Sequence, residues 1–217
     1  MKKADIRDKV VSLYVGTGWK AWFSKIRFWD APFFEVEKLI PKKGRIIDIG
    51  CGEGIFTNFM GVTARQRKIL GIEIDKTRVG LADKKLSNVL FKQGDATKIK
   101  IPKCDVIVLF HLLHHLRGFA YQERVIKNCY KALKKHGKLI LVEPDIKPSL
   151  KYLISWFTDH FIVPILFEKR LFELNIYFRK KKDWIDLLSN NGFSVKAIPV
   201  EEGKPFTNVI FECRKNN

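Results

Sequence analysis

The ten residues from Arg45 to Gly54, RIIDIGCGEG, constrain this chain more than any others. A β-branched run around one acid, Asp48, gives way to three glycines, Gly50, Gly52 and Gly54. A short apolar run bounded by Gly44 and Gly50 reads as a buried strand. A strand that turns through glycines into a helix brings backbone close to a polar or anionic ligand at the helix N-terminus. The spacing is GxGxG, not the GxGxxG of dinucleotide sites, so pyrophosphate binding loses support.

The strand at 45–50 is followed by similar runs at 69–74, 89–94, 104–110 and 138–143. Helical patterns fill 53–64, 76–86 and 120–135, the last ending in a cap at Gly137. Such alternation implies right-handed crossovers and a parallel sheet covered on both faces. The last third differs. A helix over 183–193 ends at Gly192, and strands at 193–200 and 206–214 are joined by the short link EEGKP, which suits an antiparallel pair. The expected fold is α/β: a mostly parallel sheet with an antiparallel strand at its C-terminal end.

The second strand ends in GIEID. A carboxylate there, about 20 residues beyond the glycine loop, is placed to accept both hydroxyls of a ribose. Glu73 fits, with Asp75 as its competitor. The third strand runs into QGDATKI, where Asp95 can accept an adenine amino group. Glycine turn, Glu and Asp at three successive strand ends describe an adenosine site without a phosphate cradle.

Together, IIDIGCGEG, GIEID, GDATKI, CDVIVLFHLLHHL and LILVEPD resemble the successive motifs of class I S-adenosylmethionine (SAM)-dependent methyltransferases, over roughly residues 40–214. The resemblance implies a Rossmann-like, doubly wound, seven-stranded sheet with a helical N-terminal cap. It implies one domain, residues 1–217: a cap or lid at 1–40, a SAM-binding half at 41–145, a substrate-shaping insert at 146–182, and a closing helix and strands at 183–217. It places the loop of Gly50, Cys51, Gly52 and Gly54 against the methionine part of SAM, and Asp48 at its amino end. Glu73, beside Ile74, would bind the ribose. Asp95, between Gly94 and Ala96, would meet adenine, while Phe110 and His111 would line the methyl-donor side.

The donor is a sulfonium, already activated, so alignment and exclusion of water are the main tasks. A base is needed only if the acceptor must lose a proton. His111, His114 and His115 stand at the fourth strand's exit as the candidates, each with a structural role as the alternative. A metal site is not expected, because adjacent histidines diverge on a helix and no carboxylate joins them nearby. Glu143 and Asp145 leave the fifth strand toward the same cleft, to position substrate or to cap the loop.

WKAWFSKIRFWDAPFF sets Trp19, Trp22, Phe23, Ile26 and Trp29 on one helical stripe, with Lys20, Ser24, Lys25 and Arg27 opposite. It reads as a helix packed over the cofactor cleft, or as a lid that also touches membrane or a greasy substrate, and deleting residues 1–30 is expected to spare the fold. The 146–182 insert is rich in Trp, Phe, Ile and Leu. With Trp156 and Tyr177 it suits a long apolar or aryl acceptor, as Trp19, Trp22 and Glu143 do from the other sides. The order of these segments resembles a bacterial subgroup associated with fatty-acid-like and aryl-polyene-type lipid pathways, which implies an acyl or aryl acceptor, small or lipid-like, with acyl carrier protein as a candidate holder.

Among 217 residues, 41 Lys and Arg against 23 Asp and Glu leave a charge of +18. That suits an acidic carrier protein, an anionic membrane surface or nucleic acid. An RNA or tRNA methyltransferase is the rival reading, disfavoured because the aromatics fall on an apolar stripe instead of among the basic residues. A SAM-binding module that recruits partners to membranes is the non-enzymatic one. Four scattered cysteines without a CxxC argue against disulfides and metal clusters. The start MKKADIRDKV lacks an apolar signal region, and no apolar run nears the ~20 residues of a spanning helix. The expected location is cytoplasmic, with the inner membrane face as a peripheral site.

Overall fold

The computed structural model describes residues 2–15, 19–145, 177–200 and 207–216, with the backbone alone at 19–23. Trp156, most of the 146–182 insert and the EEGKP link lie outside the described residues, as do the side chains of Trp19, Trp22 and Phe23.

The chain opens with α1 (Lys3–Ser12), α2 (Trp19–Asp30) and α3 (Phe33–Glu37). It then alternates through β1 (Gly44–Ile49), α4 (Ile55–Thr63), β2 (Arg67–Glu73), α5 (Lys76–Ala82), β3 (Val89–Gln93), β4 (Cys104–Phe110), α6 (Phe119–Ala132) and β5 (Leu133–Pro144). A 3-10 turn, Leu113–His115, follows β4. The chain closes with α7 (Lys181–Asn190), β6 (Phe193–Val200) and β7 (Asn208–Lys215). The seven strands lie in the order β3-β2-β1-β4-β5-β7-β6, and β7 alone runs antiparallel to both its neighbours. The chain winds outward through β2 and β3, then returns to place β4 beside β1. That reversal opens a crevice beyond the C-terminal ends of β1 and β4, where ligands bind in open α/β sheets.

Alternation along the strands divides the core. Ile46, Val106, Val108, Ile140 and Val142 pack with Val10, Val11, Phe33, Phe56 and Phe59 from α1, α3 and α4. Ile47, Ile107, Leu109, Leu139 and Leu141 pack on the other face with Val125, Ile126, Trp184 and Leu188 from α6 and α7. Strands buried on both faces read as unbroken apolar runs, which is why these were visible in the sequence.

Three expectations are corrected. First, α6 ends at Ala132 and β5 begins at once, so Gly137 is not a helix cap. Leu133 pairs with Cys104, the register slips, and His136 takes up a left-handed φ of 62°. Gly137 is needed for close approach: a Cβ there would lie 3.0 Å from the Lys134 carbonyl and 3.2 Å from that of Asp105. Second, the buried side of α2 carries Ser24 and Phe28, while Trp29 is 60% exposed. Residues 24, 28 and 31 point inward at helical spacing, and Phe28 packs edge-on against Phe33 and Phe59. Third, the N-terminal cap is not separable, because Val10, Val11, Tyr14 and Phe28 belong to the core itself.

Arg67 holds the cap to the sheet. It is fully buried, with both guanidinium nitrogens on Glu37 at 2.7 and 3.0 Å. It also donates to the carbonyls of Pro41, Ile40 and Met60. Among the described residues no helix is long and apolar enough to cross a membrane.

Candidate active site

The glycine loop leaves β1 with Gly50, Gly52 and Gly54 at φ of 74°, 55° and 75°. A Cβ on Gly52 would meet nothing within 4 Å, so this turn borders open space. Tyr14 braces the loop from the cap: its hydroxyl donates to the Glu53 carbonyl (2.8 Å) and accepts from Asn58 Nδ2 (2.9 Å).

Asp48 is buried at the end of β1. Thr57 donates to its Oδ2 at 2.6 Å, while Oδ1 is buried with no hydrogen-bond partner among the described residues. Burial pushes its pKa up to about 7, Thr57 opposing the rise and the Glu73 charge adding to it. A buried acceptor left unpaired marks a place for a donor, and a cation most of all. Burial likewise raises the Cys51 thiol, with the Asp48 and Glu73 charges adding to the rise.

Glu73 closes the loop. Its Oε2 accepts from the Gly52 amide at 2.9 Å, and Oε1 accepts from the Ile74 and Asp75 amides at 2.9 and 3.1 Å. Three of about four acceptor positions are thus in use. Gripping two ribose hydroxyls requires one of these amides to let go. Asp75, the competitor, is spent on capping α5, accepting from the amides of Thr77 and Arg78. These bonds, that of Arg78 foremost, hold its pKa below the ordinary value. Gly94 donates its amide to the Glu73 carbonyl. Asp95 accepts from the Thr97 hydroxyl and amide at 2.6 and 2.8 Å, which keeps it ionised, with Lys98 at 3.7 Å and Ala96 buried beside it.

At the exit of β4, Phe110 packs against Phe33 and Phe56. His111 takes a left-handed φ of 51°. Its Nε2 meets Asn208 Oδ1 at 2.7 Å and its Nδ1 meets Arg27 Nη2 at 3.5 Å. Burial first, then the Arg27 charge and His114, push its pKa well below the ordinary value. A neutral ring with both nitrogens engaged is a strut between α2, β4 and β7 and a poor base. Arg27 is itself held by Asp30 at 2.9 Å.

His114 differs. Its Nδ1 lies 2.5 Å from Glu143 Oε2, and Glu143 Oε1 accepts from the Leu113 amide at 3.0 Å. The carboxylate at the end of β5 therefore fixes both the ring and the turn that carries it. Glu143, expected at the substrate, has both carboxylate oxygens engaged, by the Leu113 amide and the His114 ring. The His115 ring is 4.1 Å from that of His114 and less buried. Tyr177 reaches the same place by its backbone, its amide donating to the His114 carbonyl at 2.9 Å. Among the described residues no cluster of His, Cys, Asp or Glu could hold a metal ion.

Arg27, Asn208, Thr57 and Gln122 were not singled out by the sequence. Asn208 and Gln122 each carried a faint signal: an uncharged polar side chain inside an apolar strand or on the apolar face of a helix.

The fold is that of a Rossmann-like α/β domain with a glycine loop and acids at successive strand ends. The chain belongs to the methyltransferase-domain family whose model matches residues 22–198. It is 30% identical to a caffeic acid 3-O-methyltransferase of Zinnia elegans over 50% of its length, and 34% identical to flavone O-methyltransferase 1 of Triticum aestivum over 50%. It covers only 31% and 29% of those proteins. A demethylmenaquinone methyltransferase of Thermotoga maritima is 22% identical, over 65% of this chain and 57% of that one. Magnesium protoporphyrin IX methyltransferase from Synechocystis, solved with S-adenosylhomocysteine (SAH), shares the fold over 99% of this chain and 100% of its own, at a TM-score of 0.68 and 19% identity. SAM is the cofactor of the family, and the orphaned Asp48 oxygen and the open face of Gly52 fit it.

Proposed function

We propose that the chain methylates a hydroxyl of a small hydrophobic acceptor, with His114 as general base and Glu143 as the group that orients it. The carrying observation is the buried Glu143–His114 pair at the crevice. A carboxylate on Nδ1 holds the proton there and leaves the basic lone pair on Nε2, the arrangement a base needs. The O-methyltransferase relatives support an oxygen acceptor.

Asp48 would take the amino end of SAM, the Gly50–Gly54 loop its methionine part, Glu73 the ribose, and Asp95 and Ala96 the adenine. Bound there, SAM supplies an activated methyl group. His114 would take the acceptor's proton at Nε2 as the acceptor oxygen receives the methyl group. Phe110 and the rings around it exclude water.

The finer reading is an acyl or aryl acceptor on an acidic carrier protein, with a cytoplasmic or membrane-surface setting, and it rests on the charge of +18. Arg45, Lys68, Lys103 and Lys134 line a groove of about 400 Å³ at the starts of β1, β2, β4 and β5. That groove lies at the end of the sheet away from the crevice and Asp105 also lines it, so a carrier presenting its acceptor to His114 would have to dock elsewhere on the basic surface.

The test is a mass-spectrometric assay of methyl addition with free catechols and with carrier-bound aryl acids, using wild type and His114→Ala. The variant should lose roughly 10²–10⁴-fold in rate. An undiminished rate removes the base assignment. SAH binding without turnover of any acceptor would favour the non-catalytic module.

A further inference from the structure

Gln122 lies in the first turn of α6, on the face that continues through the buried Val125, Ile126 and Cys129. It is 0% exposed, where an apolar side chain would complete the packing. A buried amide costs stability unless its groups are bonded. Here Nε2 donates to the carbonyls of Leu113 (3.1 Å) and Tyr177 (2.7 Å), and Oε1 accepts from Arg179 Nε at 2.6 Å. One amide thus joins the turn that carries His114 to the segment 177–179.

That segment touches the turn at successive residues. The Tyr177 amide donates to the His114 carbonyl, and the Phe178 ring stacks on the His114 imidazole at 5.1 Å and 18°. The Arg179 guanidinium lies over Phe119 at 4.4 Å and Trp184 at 5.6 Å, so the outer end of the link is anchored on α6 and α7. Glu143 fixes His114 from the sheet side; Gln122 and Arg179 fix what stacks against it from the helix side.

We propose that Gln122, anchored by Arg179, is a positioning residue: it clamps residues 177–179 onto the His114 turn and so holds the imidazole in one orientation. The inference rests on the reading of His114 as base, but its test does not need an acceptor. Amide hydrogen exchange and histidine ¹⁵N spectra are recorded on the full chain for wild type, Gln122→Leu and Arg179→Ala, with SAH affinity by calorimetry. In Gln122→Leu the Tyr177 amide should exchange about tenfold faster, the scale of one lost net hydrogen bond. The His114 ring signals should broaden or split as the imidazole samples more than one orientation, with SAH affinity unchanged. Arg179→Ala, on a half-buried side chain, should show the same changes more weakly, and it carries the test if Gln122→Leu does not fold.

An unchanged Tyr177 amide and His114 spectrum overturns the clamp. So does a parallel loss of SAH affinity, which would make Gln122 a general stabiliser. Full methyl transfer by His114→Ala would instead remove the base assignment and leave the exchange result standing.

Discussion

Three histidines within five positions show how much a side chain's role depends on what faces it. His111 is held neutral between Arg27 and Asn208, and His114 is oriented by Glu143. HLLHHL offered three candidate bases without distinguishing them, because the partners that set their environments come from α2, β5 and β7. The candidate acids were easier to single out, since Asp48, Glu73 and Asp95 lie at or just beyond strand ends that hydrophobic runs mark. Their present partners were not legible: Thr57 and the Gly52 amide meet them only through the loop's turn. Asp48 makes a prediction with a definite sign. Its folded pKa is raised to about 7, so below that it is protonated. A cofactor ammonium favours the carboxylate, so binding releases a proton, and SAH affinity should rise with pH through about 7 and then level off. Calorimetry between about pH 6 and pH 8, in buffers of different ionisation heat, measures both the trend and the proton. A flat profile would separate Asp48 from the cofactor's amino end.

Among the elements, the cap holds the main surprise. Its aromatic stripe suggested a lid, yet α1 to α3 contribute to the core beneath α4 and β1. Among the described side chains of α2 the aromatic stripe does not mark the inward side: Trp29 is exposed and the buried positions run through Ser24 and Phe28. The Arg67–Glu37 pair fastens this layer. Removing one partner of a fully buried ion pair strands the other charge and costs about 3–5 kcal/mol. Glu37→Ala should lower unfolding free energy by that amount in urea titration. A loss below ~1 kcal/mol would mean that the pair is not what joins cap to sheet. The boundary of α6 was misread for a related reason. Gly137 resembles a cap until the Lys134 and Asp105 carbonyls beside it are known, and they belong to a strand irregularity with no sequence period.

At the scale of the molecule, the seven strands, their mostly parallel direction and the antiparallel C-terminal strand match the expectation drawn from short connections and handed crossovers. The acceptor side was not legible to the same degree. It depends on which segments fold over the crevice, and periodicity carries no information on that. The basic surface shows the same limit: +18 is a property of composition, whereas the groove of Arg45, Lys68, Lys103 and Lys134 is created by the sheet edge. The central claim is that the strand-end carboxylates beside the glycine loop form the cofactor site. Titrating SAH into wild type and Glu73→Ala by calorimetry tests it most directly. Wild type should bind at one site, and Glu73→Ala should bind about 1–3 kcal/mol more weakly, the range for lost bonds to a charged group. Equal affinity in the two proteins would contradict the account.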